Sequence, residues 1–259
     1  MTLENKINQI QIQNFITESG ARYPIINLSY QVFGPNLNTS PIVLVNHALT
    51  GNSQVIGEQG WWNDLIGESK TIDTLKYTVL AFNVPGNGYD GFGIENYQDF
   101  NARDIAQLFN QGIKALQITQ LFAIIGGSVG GGIAWEMAAL EPKITQHLIP
   151  IATDWKSTDW LIANCFLQEQ ILANSSKPIE DARIHAMLCY RTPASFSAKF
   201  QRTINEELDV FNIESWLAHH GTKLQKRFQL SAYKMMNQLL KTIDITRGRA
   251  SFAAIASKI

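Results

Sequence analysis

Residues 121–140 read LFAIIGGSVGGGIAWEMAAL, and no other stretch constrains the fold as much. An apolar, strand-like run from Leu121 to Ile125 meets Gly126-Gly127-Ser128-Val129-Gly130. A helix-compatible run of small residues follows, up to Pro142. The spacing G-x-S-x-G between a strand and a helix is the pattern of a nucleophile elbow, in which a sharp turn lifts a serine hydroxyl clear of the strand's carboxyl end. Glycine suits the flanks because a Cβ would block the strained backbone of such a turn.

Blander readings compete. Some twenty residues with G-x-x-x-G spacing also fit a membrane helix. Each glycine inside such a helix would cost about 1 kcal/mol against alanine, and Glu136 would lie in hydrocarbon. A phosphate-binding loop needs Gly-Lys-Ser/Thr, which does not follow. A plain strand–turn–helix with an incidental serine stays open.

Composition excludes several classes. At 259 residues, 45% hydrophobic, 17% charged and net charge −1, the chain predicts a sizeable core and argues against disorder. There is no basic excess to attract nucleic acid or an anionic membrane. Cys165 and Cys189 have no metal-ligand neighbours and read as buried thiols in a reducing compartment. The start, MTLENKINQIQIQ, lacks the apolar centre of a signal peptide, so a cytoplasmic location is the default expectation.

Strand and helix signals alternate along the chain. Residues 8–15 and 25–34 alternate apolar and polar, as half-buried antiparallel strands do. Residues 42–47 and 77–84 are continuous apolar runs, expected of strands covered on both faces. Residues 101–116 place Ala102, Ile105, Phe109, Ile113 and Leu116 at helical spacing, with Asn101 or Asp99 as N-cap. Residues 121–125 and 147–152 are the next strands. The order predicts an α/β fold with a mostly parallel, two-sided sheet. From about 155 to 247 the rhythm changes to helices rich in aromatics, including Trp155, Trp160, Phe166, Trp216, Phe228 and Tyr233. With no Pro/Gly/Ser-rich linker, this reads as a lid. The expected organisation is a core over 1–154 carrying six strands and the elbow, a helical lid over 155–247, and a return segment over 248–259.

Two loops bear on chemistry. Gly86-Asn87-Gly88-Tyr89-Asp90-Gly91 matches G-x-G-x-x-G, but Pro85 precedes it and the next helix waits until about residue 100. A dinucleotide site needs the helix to open inside the loop, so a flexible loop at the sheet's carboxyl edge is the better reading. His47-Ala48-Leu49-Thr50-Gly51 follows the third strand. In an α/β-hydrolase one oxyanion-hole N–H comes from that loop and the other from the residue after the nucleophile. The candidates are the backbone N–H groups of Leu49 and Val129, each such donor being worth about 3–4 kcal/mol in a transition state. His47 precedes Ser128 and so departs from the order Ser, acid, His; it reads as a brace for the loop.

Asn46 to Gly51, Gly60-Trp61-Trp62, Leu65-Ile66-Gly67, Gly126-Gly127-Ser128 with Gly130-Gly131, and Ile149 to Thr153 resemble the homoserine O-acetyltransferase family. So do Tyr190-Arg191 and Glu214 to Leu217 with Gly221 and Lys223, all in family order between about 42 and 248. The resemblance implies transfer of an acetyl group from acetyl-CoA to the hydroxyl of L-homoserine, a step toward methionine, through an acyl-enzyme on Ser128. Acetyl-CoA would be a substrate, with no resident cofactor and no metal. Arg191 matches a family arginine thought to hold the acceptor's carboxylate, a task that suits a bidentate guanidinium; its bland reading is an exposed ion pair. Relatives imply a homodimer acting on small molecules, with no nucleic acid and no membrane.

The chain departs from the family at Asn83 to Gly91, which replaces a glycine-rich NVLGGCxGSTGP loop, and at Val129, where methionine is usual. It also lacks the expected acid and histidine after Ser128, which belong at the ends of two further strands. Asp154 is an alternative acid. His147 lies near the start of its strand, and His185, His219 and His220 fall in the helical region. The expectation is a C-terminally incomplete version of a longer enzyme, impaired without its general base, unless His219 or His220 folds over Ser128. The alternatives are a serine ester hydrolase of the same fold and a non-catalytic binding protein built on it.

Overall fold

The computed structural model describes residues 6–259. Six strands form one sheet: β1 (Asn8–Ile16), β2 (Arg22–Phe33), β3 (Ile42–Asn46), β4 (Thr78–Phe82), β5 (Leu121–Gly127) and β6 (Thr145–Ile151). Their spatial order is β1-β2-β4-β3-β5-β6. β1 pairs antiparallel with β2, and β2 with β4. The β4–β3, β3–β5 and β5–β6 pairs are parallel. The expected α/β architecture with a mostly parallel sheet is therefore present, and β2 begins three residues earlier than its pattern predicted.

Every residue of β3 and β4 is buried. The period of two assigns alternate residues to opposite faces. Leu44, Leu80, Phe82 and Ile124 join a core with Ile105, Phe109, Ile133 and Met137. Val43, Val45, Val79, Ala81 and Ile125 join a second core, against Val55, Ile66, Trp61 and Trp62. Helices α1 (Ala102–Ala115) and α2 (Val129–Leu140) supply the first cover. On the second face, the connection between β3 and β4 does so, including the Trp61–Trp62 stack and a two-residue parallel pair, Ile66–Gly67 with Ile72–Asp73. Helix α1 starts at a capping box: the Asn101 side chain accepts from the Arg103 and Asp104 N–H groups, and Asp104 accepts from the Asn101 N–H.

Helices α3 (Asp159–Asn174), α4 (Pro178–Cys189), α5 (Pro193–Phe200), α6 (Asn212–Gln225) and α7 (Leu230–Lys241) follow. The segment leaves and re-enters the core at one place. Ser157 N–H donates to Ile243 O at 2.9 Å, Ile245 N–H to Trp155 O at 3.2 Å, and Lys156 bridges Asp244. Met236, Leu239 and Ile243 belong to the same buried cluster as Ile133 and Met137, so α7 shares the core of the sheet. Beyond it lies α8 (Phe252–Ala256), with Phe252 stacked on Trp155.

Two details correct the sequence reading. Cys189 is exposed, at the end of α4, and only Cys165 is buried. The helical region contains a short antiparallel pair, Ile204–Asn205 with Val210–Phe211. Trp160 and Phe166 face solvent, 76% and 59% exposed. Among the described residues no helix is long and apolar enough to cross a membrane. Glu136 is instead buried in the folded core, paired with Arg103 at 3.0 Å and Arg249 at 2.8 Å.

Candidate active site

Ser128 joins the last residue of β5 to the first of α2, with φ 54° and ψ −125°. That backbone region is left almost wholly to glycine, and a serine held there stores about 1–3 kcal/mol of strain. The turn is fastened on both sides: Ser128 N–H donates to Ile151 O at 2.9 Å, while Ser128 O accepts from Gly131 and Gly132.

The flanking glycines are steric necessities, though unequally. A Cβ on Gly126 would lie 2.3 Å from Gly130 O, and one on Gly130 would lie 2.3 Å from Asn46 O. A Cβ on Gly127 would meet nothing within 4 Å. The two glycines of the G-x-S-x-G frame thus let α2 press against both β5 and the end of β3, and the third is incidental.

That closeness brings the two halves of the candidate oxyanion hole together. Asn46 pairs with Gly126 across the β3–β5 ladder, so the loop carrying Leu49 emerges beside the elbow. Among the described residues, neither the Leu49 nor the Val129 backbone N–H has a hydrogen-bond acceptor. Val129 is the first residue of α2, where the helix dipole adds positive potential. Ser128 is half-buried, and its Oγ has no hydrogen-bond partner among the described residues.

His47 is wholly occupied in holding this loop. Its Nδ1–H donates to Ala48 O at 2.8 Å, and its Nε2 accepts from the Val84 N–H at 3.0 Å. Burial pushes its pKa down to about 4, which keeps the ring neutral. Asn87 Nδ2 approaches the same Nε2 at 3.3 Å. Asn83 ties the layer together, accepting from the Ser53 N–H at 2.8 Å and donating to Ser29 Oγ and Ser53 Oγ, both at 2.9 Å. The loop with Gly86, Gly88 and Gly91 therefore rests on the His47 brace. Its glycines take positive φ, and no helix opens within it, which removes the geometry a dinucleotide site needs.

Other residues singled out by sequence stand elsewhere. Arg191 is exposed between α4 and α5, its guanidinium 5.7 Å from the Trp216 ring, and among the described residues it pairs with no carboxylate. Asp154 is exposed after β6 and accepts from the Trp155 N–H at 2.8 Å; the structure brings it to no histidine. His147 sits near the amino end of β6, edge-on to Phe122. His185 bonds Gln168 at 2.9 Å. His219 and His220 lie on α6, and His220 packs against Trp216. Helix α6 packs on α4, α5 and the short antiparallel pair rather than on α2.

Sequence reasoning missed Arg227. Its Nη1 donates to Thr50 O at 2.9 Å, next to Leu49 in the loop. It lines a cavity of about 50 Å³ with Thr50, Gly51, Asn87 and Gly88. Nothing around residue 227 signals this, because its partner is 177 residues away.

Comparisons with known proteins agree with the fold. A family model described as alpha/beta hydrolase fold matches residues 41–177. The homoserine O-acetyltransferase of Chloroherpeton thalassium is 30% identical, over 96% of this chain and 73% of that protein. That of Cyclobacterium marinum is 31% identical, over 93% of this chain and 75% of that protein. The crystal structure of the Staphylococcus aureus homoserine O-acetyltransferase superposes with a TM-score of 0.83 at 26% identity, covering 97% of this chain and 76% of that one. The acetyl esterase MekB superposes with a TM-score of 0.81 at 18% identity, a likeness of fold alone.

Proposed function

The chain belongs to the homoserine O-acetyltransferase family, and on that premise we propose that it transfers an acetyl group from acetyl-CoA to the hydroxyl of L-homoserine. In the first half-reaction Ser128 Oγ attacks the thioester carbonyl carbon. The C–S bond breaks, and the coenzyme thiol leaves carrying the serine's proton. In the second, the homoserine hydroxyl attacks the acyl carbon, its proton returns to Ser128 Oγ, and O-acetylhomoserine departs. The Leu49 and Val129 N–H groups receive the oxyanion in both steps. The product belongs to the route toward methionine.

The observation that carries this reading is the elbow itself: a strained, half-exposed serine beside two backbone donors with no acceptor of their own. Strain of this kind persists only where the surroundings enforce it, and it concentrates at functional sites. Excluding water matters because the acceptor alcohol must outcompete it, and an aligned alcohol reaches an effective molarity of about 10⁵ M or more.

The five histidines of the chain do not supply an evident base for Ser128. His47 spends both ring nitrogens on the loop, and the other four stand apart as described.

The test measures coenzyme thiol release from acetyl-CoA with and without L-homoserine. Release that rises with homoserine and yields O-acetylhomoserine supports the transferase. Equal release in both arms makes the protein a hydrolase and overturns it. A fluorophosphonate probe that fails to label Ser128 overturns the nucleophile assignment.

A further inference from the structure

Helix α6 carries Trp216, His219, His220 and Lys223 at the spacings of three, four and seven residues that share one helix face. The Trp216 ring is the centre of a basic group drawn from three helices. His220 lies 4.4 Å from it, Lys199 Nζ of α5 4.5 Å, and the Arg191 guanidinium, from the turn between α4 and α5, 5.7 Å. The Lys199 and Arg191 charges are thus no more than about a Debye length apart (about 10 Å at 0.1 M salt) and repel each other. His219 lies 5.6 Å from His220. Burial lowers the His220 pKa, and so do the charges that act on it, Arg183, His219, Lys223 and Lys199, all of one sign.

No carboxylate answers this charge. Among the described residues Arg183, Arg191, Lys199 and Lys223 form no ion pair. The acids of these helices stand in the first turns of α4 and α6 and are engaged there. Glu180 pairs with Lys177 and accepts from Thr222 Oγ1, Asp181 accepts from Ser175 Oγ, and Glu214 accepts from the Phe211 N–H. The exposed Glu206, Glu207 and Asp209, between the two short strands, pair with none of the four cations.

Ordinary causes explain part of the pattern. Helix carboxyl ends favour Lys199 and Lys223 by about 0.3–1 kcal/mol each. A tryptophan face attracts an exposed cation by about 0.5–1 kcal/mol but leaves its charge standing. Neither accounts for Arg183, which is half-buried and unpaired. Arg191, Lys199, His219 and Lys223 are exposed, so the charge is open to a ligand. The patch also borders the candidate active site. Arg183 acts on Arg227 as well as on His220, and Arg227 bonds Thr50 O beside Leu49. The Arg183 guanidinium lies 5.5 Å from the Tyr190 ring, and Tyr190 lines a cavity of about 70 Å³ together with Leu49.

We propose that this face binds the phosphate groups of a small phosphorylated ligand, with Arg183, Arg191, Lys199 and Lys223 as the cations that hold them. Phosphate concentrates charge and acceptor oxygens, and it suits both the guanidinium fork and the lysine point charge. Coenzyme A carries its phosphates at the end far from its thiol, so its thioester could reach inward past Arg227. That the coenzyme is the occupant rests on the acyl-transfer reading; the phosphate site itself does not.

Titration calorimetry on the 259-residue chain tests this with coenzyme A, dephospho-coenzyme A, inorganic pyrophosphate and pantetheine, at about 50 and about 200 mM salt. Coenzyme A should bind at least about tenfold more tightly than pantetheine, with the dephospho form between them and the advantage shrinking as salt rises. Pyrophosphate should compete with coenzyme A. The double change Lys199→Glu, Lys223→Glu alters two exposed side chains and should weaken coenzyme A and pyrophosphate about tenfold, leaving pantetheine unchanged. Lys70→Glu, Lys143→Glu shifts the net charge equally from elsewhere on the surface and should change every affinity by less than about twofold. Equal affinity for coenzyme A and pantetheine, no pyrophosphate binding at low salt, or an equal loss in the control pair would overturn the site. A short DNA duplex that displaces coenzyme A at equal phosphate concentration would overturn the choice of a small ligand. Two outcomes separate this site from the acyl-transfer reading. Pyrophosphate binding that the patch variant abolishes, without thiol release from acetyl-CoA, keeps the site and sinks that reading. Homoserine-dependent release at the full rate in the patch variant, at subsaturating acetyl-CoA, keeps the reading and sinks the coenzyme as occupant.

Discussion

Gly130 packs so closely on Asn46 that a side-chain carbon at residue 130 would stand 2.3 Å from the Asn46 carbonyl oxygen. Asn46 Nδ2 donates back to Gly130 O at 3.3 Å. Through this contact the start of α2 and the end of β3 become one unit, and the loop carrying Leu49 is set beside Ser128.

The contact makes the glycines of the elbow unequal. Gly130→Ala and Gly126→Ala each force backbone apart and should cost about 3 kcal/mol or more. Gly127→Ala, with open space around it, should stay within about 1 kcal/mol of wild type. Urea denaturation of the three variants checks this; equal losses would mean the packing is looser than described.

Relieving the elbow's strain should stabilise the protein while removing its chemistry. Ser128→Gly adopts φ 54°, ψ −125° without penalty and should gain about 1–3 kcal/mol. Ser128→Ala keeps the strain and should gain little. Neither variant should form an acyl-enzyme. Thermal melts of the pair separate strain from the loss of a hydroxyl.

His47 should make stability depend on pH. Its folded pKa of about 4 lies below the unfolded value of about 6.5, so acid favours the unfolded chain. The stability it contributes is complete above pH 6.5 and is lost as pH falls toward 4, amounting to roughly 3 kcal/mol. Asp104 opposes it. Burial raises that carboxyl to about 6, so stability from Asp104 is gained as pH falls through 6 toward 4. The difference between wild type and His47→Ala isolates the histidine: the variant should be weaker at pH 7.5 and converge on wild type near pH 4.5. A constant gap across that range would assign His47 a packing role only.

Glu136 is a charge buried in the core. Its carboxylate is 1% exposed and held by Arg103 and Arg249, while Arg103 also bonds Glu18 at 3.1 Å. Glu136→Gln leaves two guanidinium groups undercompensated and should cost about 3–5 kcal/mol. Replacing Glu136 and Arg103 together with leucine and methionine should cost clearly less than the sum of the single changes. A double-mutant cycle in urea measures that coupling, and strict additivity would mean the pair is not acting as one.

Local features were legible before the fold was known. The alternation in β1 and β2, the unbroken apolar runs of β3 and β4, the helix start near residues 99–101 and the strand–turn–helix pattern around Ser128 all rest on residues a few positions apart. Near neighbours interact in any compact form of the chain, so their pattern records the outcome. The tertiary structure alone decided that His47 accepts from Val84, 37 residues on, that Arg227 clasps Thr50 across 177, and that Glu136 is neutralised by two arginines from separate segments. It alone also placed Arg191 over Trp216 and Asp154 in solvent. Periodicity says which face a side chain turns inward; only the return of the distant chain settles what it finds there.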